Sequence, residues 1–157
     1  MVPAGVDAAQ LRRLELPELA HRAALVVRGR VRVVVPAADG TLATDATIVI
    51  DDCLAGECPR EIVVRRRGGE QGDRGLWVDG EADLRAGAEV VLYLRFDAAG
   101  RARVLGGVQG VLRVARGAGP ALAIRDLRAH EVQSAEGLHP GGVDVVLLTA
   151  VPAGRAR

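Results

Sequence analysis

Cys53 and Cys58 stand five residues apart in CLAGEC and are the two cysteines of the chain. A pair at that spacing can close a local disulfide, remain as two thiols, or supply half of a metal site. A zinc site needs about four ligands, usually in spaced pairs. The histidines are His21, His130 and His139, and none lies at a pairing distance from another. No metal is therefore expected. A Cys–His nucleophile would need His21 brought beside the cysteine loop in space, and a bridge is the more economical reading of two cysteines in one short loop. Ser134 is the only serine, and its surroundings, HEVQSAEG, lack the G-x-S-x-G elbow that exposes a nucleophilic hydroxyl. Asp51 and Asp52 are adjacent at a strand end. Neighbouring strand residues point to opposite faces, so these two carboxylates cannot easily share one ion or one scissile bond. RRGGEQGDRG lacks the Lys-Ser/Thr ending of a phosphate loop and precedes no helix, so it reads as a surface loop with binding potential. No catalytic residue and no cofactor is assigned, and the chain reads as a non-enzyme.

The other chemical candidate is a ladder of arginines. From Val27 the chain reads VRGRVRV, which puts Arg28, Arg30 and Arg32 on one face of a strand and Val27, Gly29, Val31 and Val33 on the other. Arg65 and Arg67 are candidates to join the ladder. Barrels bind single-stranded nucleic acid by stacking bases on aromatic rings in a basic groove. Here the aromatic residues are Trp77, Tyr93 and Phe96, and Phe96 is expected in the core. With 21 basic residues, all arginine, against 20 acidic ones, the net charge is +1. That lacks the basic excess on which phosphate binding relies, so nucleic acid is not the expected partner. The ladder reads instead as a solvated outer face offset by acids on neighbouring strands.

The elements that would position these residues are mostly strands. LPELAHRAA suits a short helix, with Pro17 in the first turn and Glu18 near the positive end of the dipole. It runs straight into the Val-rich strand ending at Val35, where Gly29 marks a bend, bulge or close approach. Further strands are expected at Thr44–Cys53, Ile62–Arg67, Leu76–Val78, Val90–Phe96, Arg101–Leu105 and Val111–Ala115. In Val90–Phe96, the residues Val90, Leu92, Leu94 and Phe96 face one way, and Val91, Tyr93 and Arg95 the other. DAAG, from Asp97 to Gly100, is a four-residue hairpin connection. Beyond Arg116 the pattern fades. Ala121–Ile124 reads as a strand, Arg128–Gly142 as loop, and Val143–Val151 as an apolar segment packing on the rest. The expected architecture is mainly β: a small closed or partly open OB-fold-like barrel of five to six strands with one short N-terminal helix. Residues 1–14 form a tail, 15–116 the barrel, and 117–157 an extension that packs on it.

Apolar residues make up 49% of the chain, enough for one core in a chain of 157 residues. They are nearly all Val, Leu and Ala. The absence of lysine and asparagine fits the codon bias of a GC-rich genome. No apolar run reaches the roughly 18 residues of a membrane helix, and MVPAGVDAAQLRR carries no apolar leader segment.

The segments ELAHRAALVVRGRV, TDATIVIDDCLAGECPREIVVRRRGG, GLWVDGEADLRAGAEVVLYLR and RARVLGGVQGVLRV occur in a recognisable order. Over Leu16 to Val114 this resembles a family of exported bacterial proteins of unknown function. Their pattern is a helix, "ADLVVxGRV", a Thr-rich second strand ending in "LKG", a "VRxPGG" loop, "VxGxPxFxxGEEVLLFL" and "VVGxxQGKFxV". More distantly, the layout resembles the netrin-like, OB-fold inhibitory domain of tissue inhibitors of metalloproteinases. The family's "LKG" is Leu54-Ala55-Gly56 here, and its "PGG" is Arg67-Gly68-Gly69. Those inhibitors hold the enzyme's zinc through an N-terminal cysteine; this chain begins Met1-Val2-Pro3, so that device does not carry over. The resemblance implies export, secreted or periplasmic, with the signal peptide absent from this chain. It also favours a Cys53–Cys58 disulfide.

The expected function is therefore binding, to another protein, through loops. The surfaces expected to do it are the cysteine loop, Cys53 to Glu61, and the glycine-rich loop, Gly68 to Gly75, with Arg67, Gly68, Gly69, Glu70, Arg74 and Trp77 as candidate contacts. Alternatives are protease inhibition by an inserted loop and a single-stranded nucleic-acid-binding OB-fold.

Overall fold

The computed structural model describes residues 11–154. Strand β1 (Leu11–Arg12) precedes helix α1 (Leu16–Arg22), which leads into β2 (Leu25–Pro36), β3 (Ala43–Ala55) and β4 (Glu61–Arg67). A small hairpin follows, β5 (Gly69–Gln71) and β6 (Arg74–Leu76), then β7 (Glu89–Phe96) and β8 (Ala102–Val104). After a 3-10 turn at Gly107–Gly110 come β9 (Val111–Ala115), β10 (Leu122–Asp126), β11 (Glu131–Ser134), β12 (Gly137–Pro140) and β13 (Val143–Leu147).

Strands β2, β3, β4, β8 and β7 close on themselves. β2 pairs with β3 and β7, β4 with β3 and β8, and β8 with β7. The mainly β, OB-like barrel expected from the sequence is what forms. β7 divides its second edge, Leu94–Phe96 going to β8 and Val90–Leu92 to β9. From there β9, β10 and β13 extend the sheet beyond the barrel.

The alternation of β7 builds two cores. Val90, Leu92 and Leu94 join Val27, Val31, Ile48 and Val64 inside the barrel, while Val91 and Tyr93 join an outer core with Leu16, Leu19 and Leu112. Helix α1 lies in that outer core through Leu16, Leu19 and Ala20. At Gly29 the strand β3 leaves no room for a side chain: a Cβ there would stand 2.3 Å from the Val49 carbonyl oxygen. The pairing slips a register at this point and on either side of it, bending β2 around the barrel.

Several expectations need correction. Leu11–Arg12, assigned to a tail, pairs in parallel with β11, and Leu14 is buried; the rest of that tail, residues 1–10, lies outside the described residues. Arg128–Gly142, expected as loop, holds the β11–β12 hairpin, whose stability comes from its distant partner β1 and from buried Val132. Phe96 is 47% exposed rather than core, because it stands beyond the last barrel layer, beside the Asp97–Gly100 turn. Within Val143–Val151, Val146, Leu148 and Val151 pack on the outer core, while Val143, Val145 and Leu147 are exposed.

Candidate functional site: a groove at the barrel mouth

The two cysteines are bridged, with Cα atoms 5.7 Å apart. Their loop lies where β3 ends and β4 begins, and the glycine-rich segment lies where β4 ends. The seven residues of β4 separate them by about 20 Å at strand rise. The two candidate loops are therefore at opposite ends of the barrel and cannot form one surface.

The glycine-rich segment is ordered by its surroundings. Gly68 and Gly69 have φ of +89° and +131°, values that a side chain would resist. A Cβ on Gly69 would lie 2.3 Å from Thr44 Oγ1. Thr44 in turn donates its hydroxyl to the Gly68 carbonyl at 2.7 Å. The chain thus turns out of the barrel and forms the β5–β6 hairpin, whose register leaves Gly72 and Asp73 as a two-residue connection. Gly72, at φ +61°, supplies the positive φ that such tight hairpin turns demand. The Gln71 side-chain amide donates to the carbonyls of Ala37 and Thr41, tying the hairpin to the β2–β3 turn.

That turn is itself pinned by Arg65. Its guanidinium meets Asp45 at 2.9 Å and Asp39 at 2.7 Å, and it is buried. The Asp39 carboxyl is held well below the usual carboxylate range, first by the Thr41 hydroxyl and then by Arg65. Arg65 is therefore a structural residue and no part of an exposed ladder. Arg28 likewise turns to Glu89 at 2.9 Å, and Arg32 reaches Glu61 at 3.2 Å. Arg28, Arg30 and Arg32 do share the outward side of β2, opposite buried Val27, Gly29 and Val31, as the solvated face offset by acids that the sequence suggested.

After β6 the chain exposes Trp77, which is 84% accessible, beside half-exposed Leu76. It then folds back so that Ala82 and Leu84 enter the barrel core and cork this end. Between the hairpin and the extended sheet lies a groove of about 1530 Å³. Its floor includes Val34, Ala88, Val90 and Val111; Trp77 stands on one rim and Ile124 and His130 on the other. Of the candidate contacts, Gly69, Glu70 and Trp77 line it. Arg67 lines a neighbouring, smaller depression and pairs with Glu81 at 3.2 Å. Arg74 is exposed, and neither it nor Gly68 lines the groove.

Most charges around the groove are already matched. Arg85 meets Asp83 at 3.0 Å, and Arg128 meets Asp126 at 2.7 Å. Hydrogen bonds from the Arg128 side chain and backbone pull the Asp126 carboxyl down to about 2. His130 approaches Asp79 at 3.6 Å. Among the described residues, Arg66 and Arg113 line the groove with no carboxylate within salt-bridge distance. Arg66 Nε is buried and makes no hydrogen bond. Sequence reasoning missed both residues; the sign was an arginine at an inward position of β4, two residues beyond Val64.

Other chemical candidates gather elsewhere. Ser134 Oγ lies 2.9 Å from His139 Nε2 and 2.8 Å from Glu136 Oε2, across the β11–β12 hairpin and outside the groove. Tyr93 is fully buried, so it offers no ring for stacking. Among the described residues, no helix is long and apolar enough to cross a membrane. The chain matches no protein-family model, no curated protein and no solved structure.

Proposed function

We propose that this protein acts by binding an extended segment of another protein in the groove at the barrel mouth. The observation that carries this is Trp77, which stands 84% exposed on the groove rim beside Leu76. A large apolar side chain held out by an anchored hairpin is the kind of residue that dominates binding energy at protein interfaces. The groove's size argues in the same direction. At about 1530 Å³ it exceeds the roughly 300–1000 Å³ of small-ligand pockets. An extended peptide fills such a trough, and the mixed charges around the floor give it polar partners. The Cys53–Cys58 disulfide supports an oxidising compartment, and with it export.

The test pairs capture with a single substitution. Wild-type protein and Trp77→Ala, both shown folded by circular dichroism, are used as bait on secreted and periplasmic material. A partner held by wild type and lost from Trp77→Ala, then protecting groove amides from hydrogen exchange, supports the reading. Equal capture by both proteins, or protection confined to the cysteine loop, overturns it.

A further inference from the structure

Strand β13 ends the eight-stranded sheet, with β10 as its one neighbour. Two hydrogen bonds at its ends fix which way its backbone points. The Leu127 N–H donates to the Gly142 carbonyl, and the Leu148 N–H donates to the Ala121 carbonyl. Bonded residues alternate along an antiparallel strand, so Gly142, Asp144, Val146 and Leu148 turn their backbone toward β10. Val143, Val145 and Leu147 turn theirs outward, and among the described residues their N–H and C=O groups have no protein partner. The side chains of these residues are exposed as well, by 43%, 54% and 45% in turn. The charge in the strand, Asp144, points to the opposite face, where Arg125 and Arg13 neutralise it. Open edges are usually guarded by an exposed charge, a proline or a bulge, because they template pairing with another chain. The edge of β13 carries none of these. Its outward residues are all aliphatic, and its register with β10 runs without a slip.

We infer that β13 pairs with β13 of a second copy of this chain, antiparallel about a two-fold axis at Val145. That register sets Val145 opposite Val145 and Val143 opposite Leu147. At each pair the outward N–H and C=O of one copy meet the C=O and N–H of the other, so the free backbone groups of both edges are all used. A slip of one residue sets outward groups against inward ones, and a slip of two leaves an end of each strand unpaired. The exposed side chains then meet as aliphatic pairs on one face. On the other face Asp144 stands opposite Val146, so no like charges are brought together. The edge is thus complementary to itself in backbone, side chains and charge. Each copy brings one β13 and the pairing consumes it, so assembly closes at two copies. A five-residue edge is smaller than the roughly 1,200–2,000 Å² of stable interfaces, so the dimer should be weak, with a Kd on the order of 0.1 mM.

Sedimentation equilibrium from well below to well above that concentration should show the mass rise from one chain toward two. Val145→Lys, which sets two like charges face to face on the axis, should hold the mass at one chain. Cysteine cross-linking reads the register. The native cysteines are bridged, so an added one is the single free thiol. Opposed residues of a hydrogen-bonded antiparallel pair stand about 5.5 Å apart at Cα, within disulfide reach. Under mild oxidation Val145→Cys should therefore link to itself, and Val143→Cys should link to Leu147→Cys but not to itself. Should Val145→Lys fail to fold, the cysteine series decides. A mass of one chain at every concentration overturns the second copy as occupant and leaves the edge to a strand of another protein. A mass climbing beyond two copies overturns the two-fold closure. A dimer that Val145→Lys leaves intact, or one in which Val143→Cys links to itself as readily as Val145→Cys, overturns the assignment to β13.

Discussion

Arg125 Nε donates to Asp144 Oδ2 at 2.8 Å from a position with no solvent exposure at all. Its Nη2 lies equally close to the same oxygen, and its Nη1 donates to the carbonyls of Leu14 and Gln109. Asp144 also takes Arg13 at 2.8 Å. Gln109 completes the cluster by pairing its amide with the backbone of Arg12 and Leu14. One buried cation thus ties together residues from the N-terminal segment, the 3-10 turn and the last strand.

Asp144→Ala should cost about 3–5 kcal/mol, because it leaves the Arg125 charge buried with only carbonyls to face. Urea unfolding without reductant measures the loss. A cost below about 1 kcal/mol would show that the neutral acceptors suffice. Arg125→Met should be milder than Asp144→Ala, since it removes the buried charge together with its need for a partner.

Tyr93 gives a direct reading of burial. It is the only tyrosine, its hydroxyl donates to the Pro152 carbonyl at 2.6 Å, and burial pushes its pKa up to about 12. Ultraviolet titration should show no phenolate near pH 10 and a rise toward 12. Because the folded value lies above the ordinary value of 10.0, its contribution is complete below pH 10 and lost as pH climbs to 12. An ordinary titration in the folded protein would refute the packing of Pro152 on this ring.

Acid should act through depressed carboxyls. Glu89 is lowered to about 2, chiefly by Arg116 and then by Arg28, and Asp97 to about 2 by Arg103 and the backbone of Arg101 and Ala99. For such groups the contribution is present above the unfolded values, 4.5 and 3.8, and disappears as pH falls toward 2. Stability measured against pH should decline across that window. In Glu89→Gln with Asp97→Asn the decline should be shallower.

Reduction of Cys53–Cys58 removes a short cross-link. Chain-entropy reasoning for so small a loop gives about 2 kcal/mol. Thiol titration of the unreduced, denatured protein should find no free thiol, and Cys53→Ala with Cys58→Ala should unfold at lower urea with an unchanged slope. A larger loss, or a changed slope, would mean that the loop does more than restrain the unfolded chain.

Gly29→Ala should destabilise by roughly 1–3 kcal/mol, the usual range for overpacking, since the new methyl meets the Val49 carbonyl oxygen. Chemical denaturation reads this directly. Gly117→Ala, where a Cβ meets nothing within 4 Å, serves as the control and should be nearly neutral.

What was legible in the sequence was local. The alternation of Val90 to Leu94 announced a strand with two buried faces, and Gly29 announced a bend, because both signals lie within a few residues. The arginine ladder was legible as well: Arg28, Arg30 and Arg32 lie on the outward side of β2 opposite buried Val27, Gly29 and Val31, with acids of neighbouring strands beside Arg28 and Arg32. The register slips at Val26–Val27, Arg28–Gly29 and Val31–Val33 were not, because nothing within VRGRVRV encodes where its partner strand slips. The β11–β12 hairpin was hidden for another reason. Only Val132 is buried in it, and its partner β1 is over a hundred residues away. Of the candidate site, the glycine-rich loop was readable as an exposed break in the strand pattern, whereas Trp77, expected within a strand Leu76–Val78, lies just past a strand that ends at Leu76. Arg66 was not, since only the closed barrel turns that side of β4 inward.

The Arg125 cluster and the Tyr93–Pro152 hydrogen bond carry a consequence for biosynthesis. Strands β2 to β8 emerge from the ribosome and can pair before Asp144 and Pro152 exist as peptide. Until those residues are translated, Arg125 must stay hydrated and the apolar side of α1 uncovered. A nascent chain stalled near residue 140 should therefore hold a formed barrel whose outer face recruits chaperones, and release of the last segment should end that association.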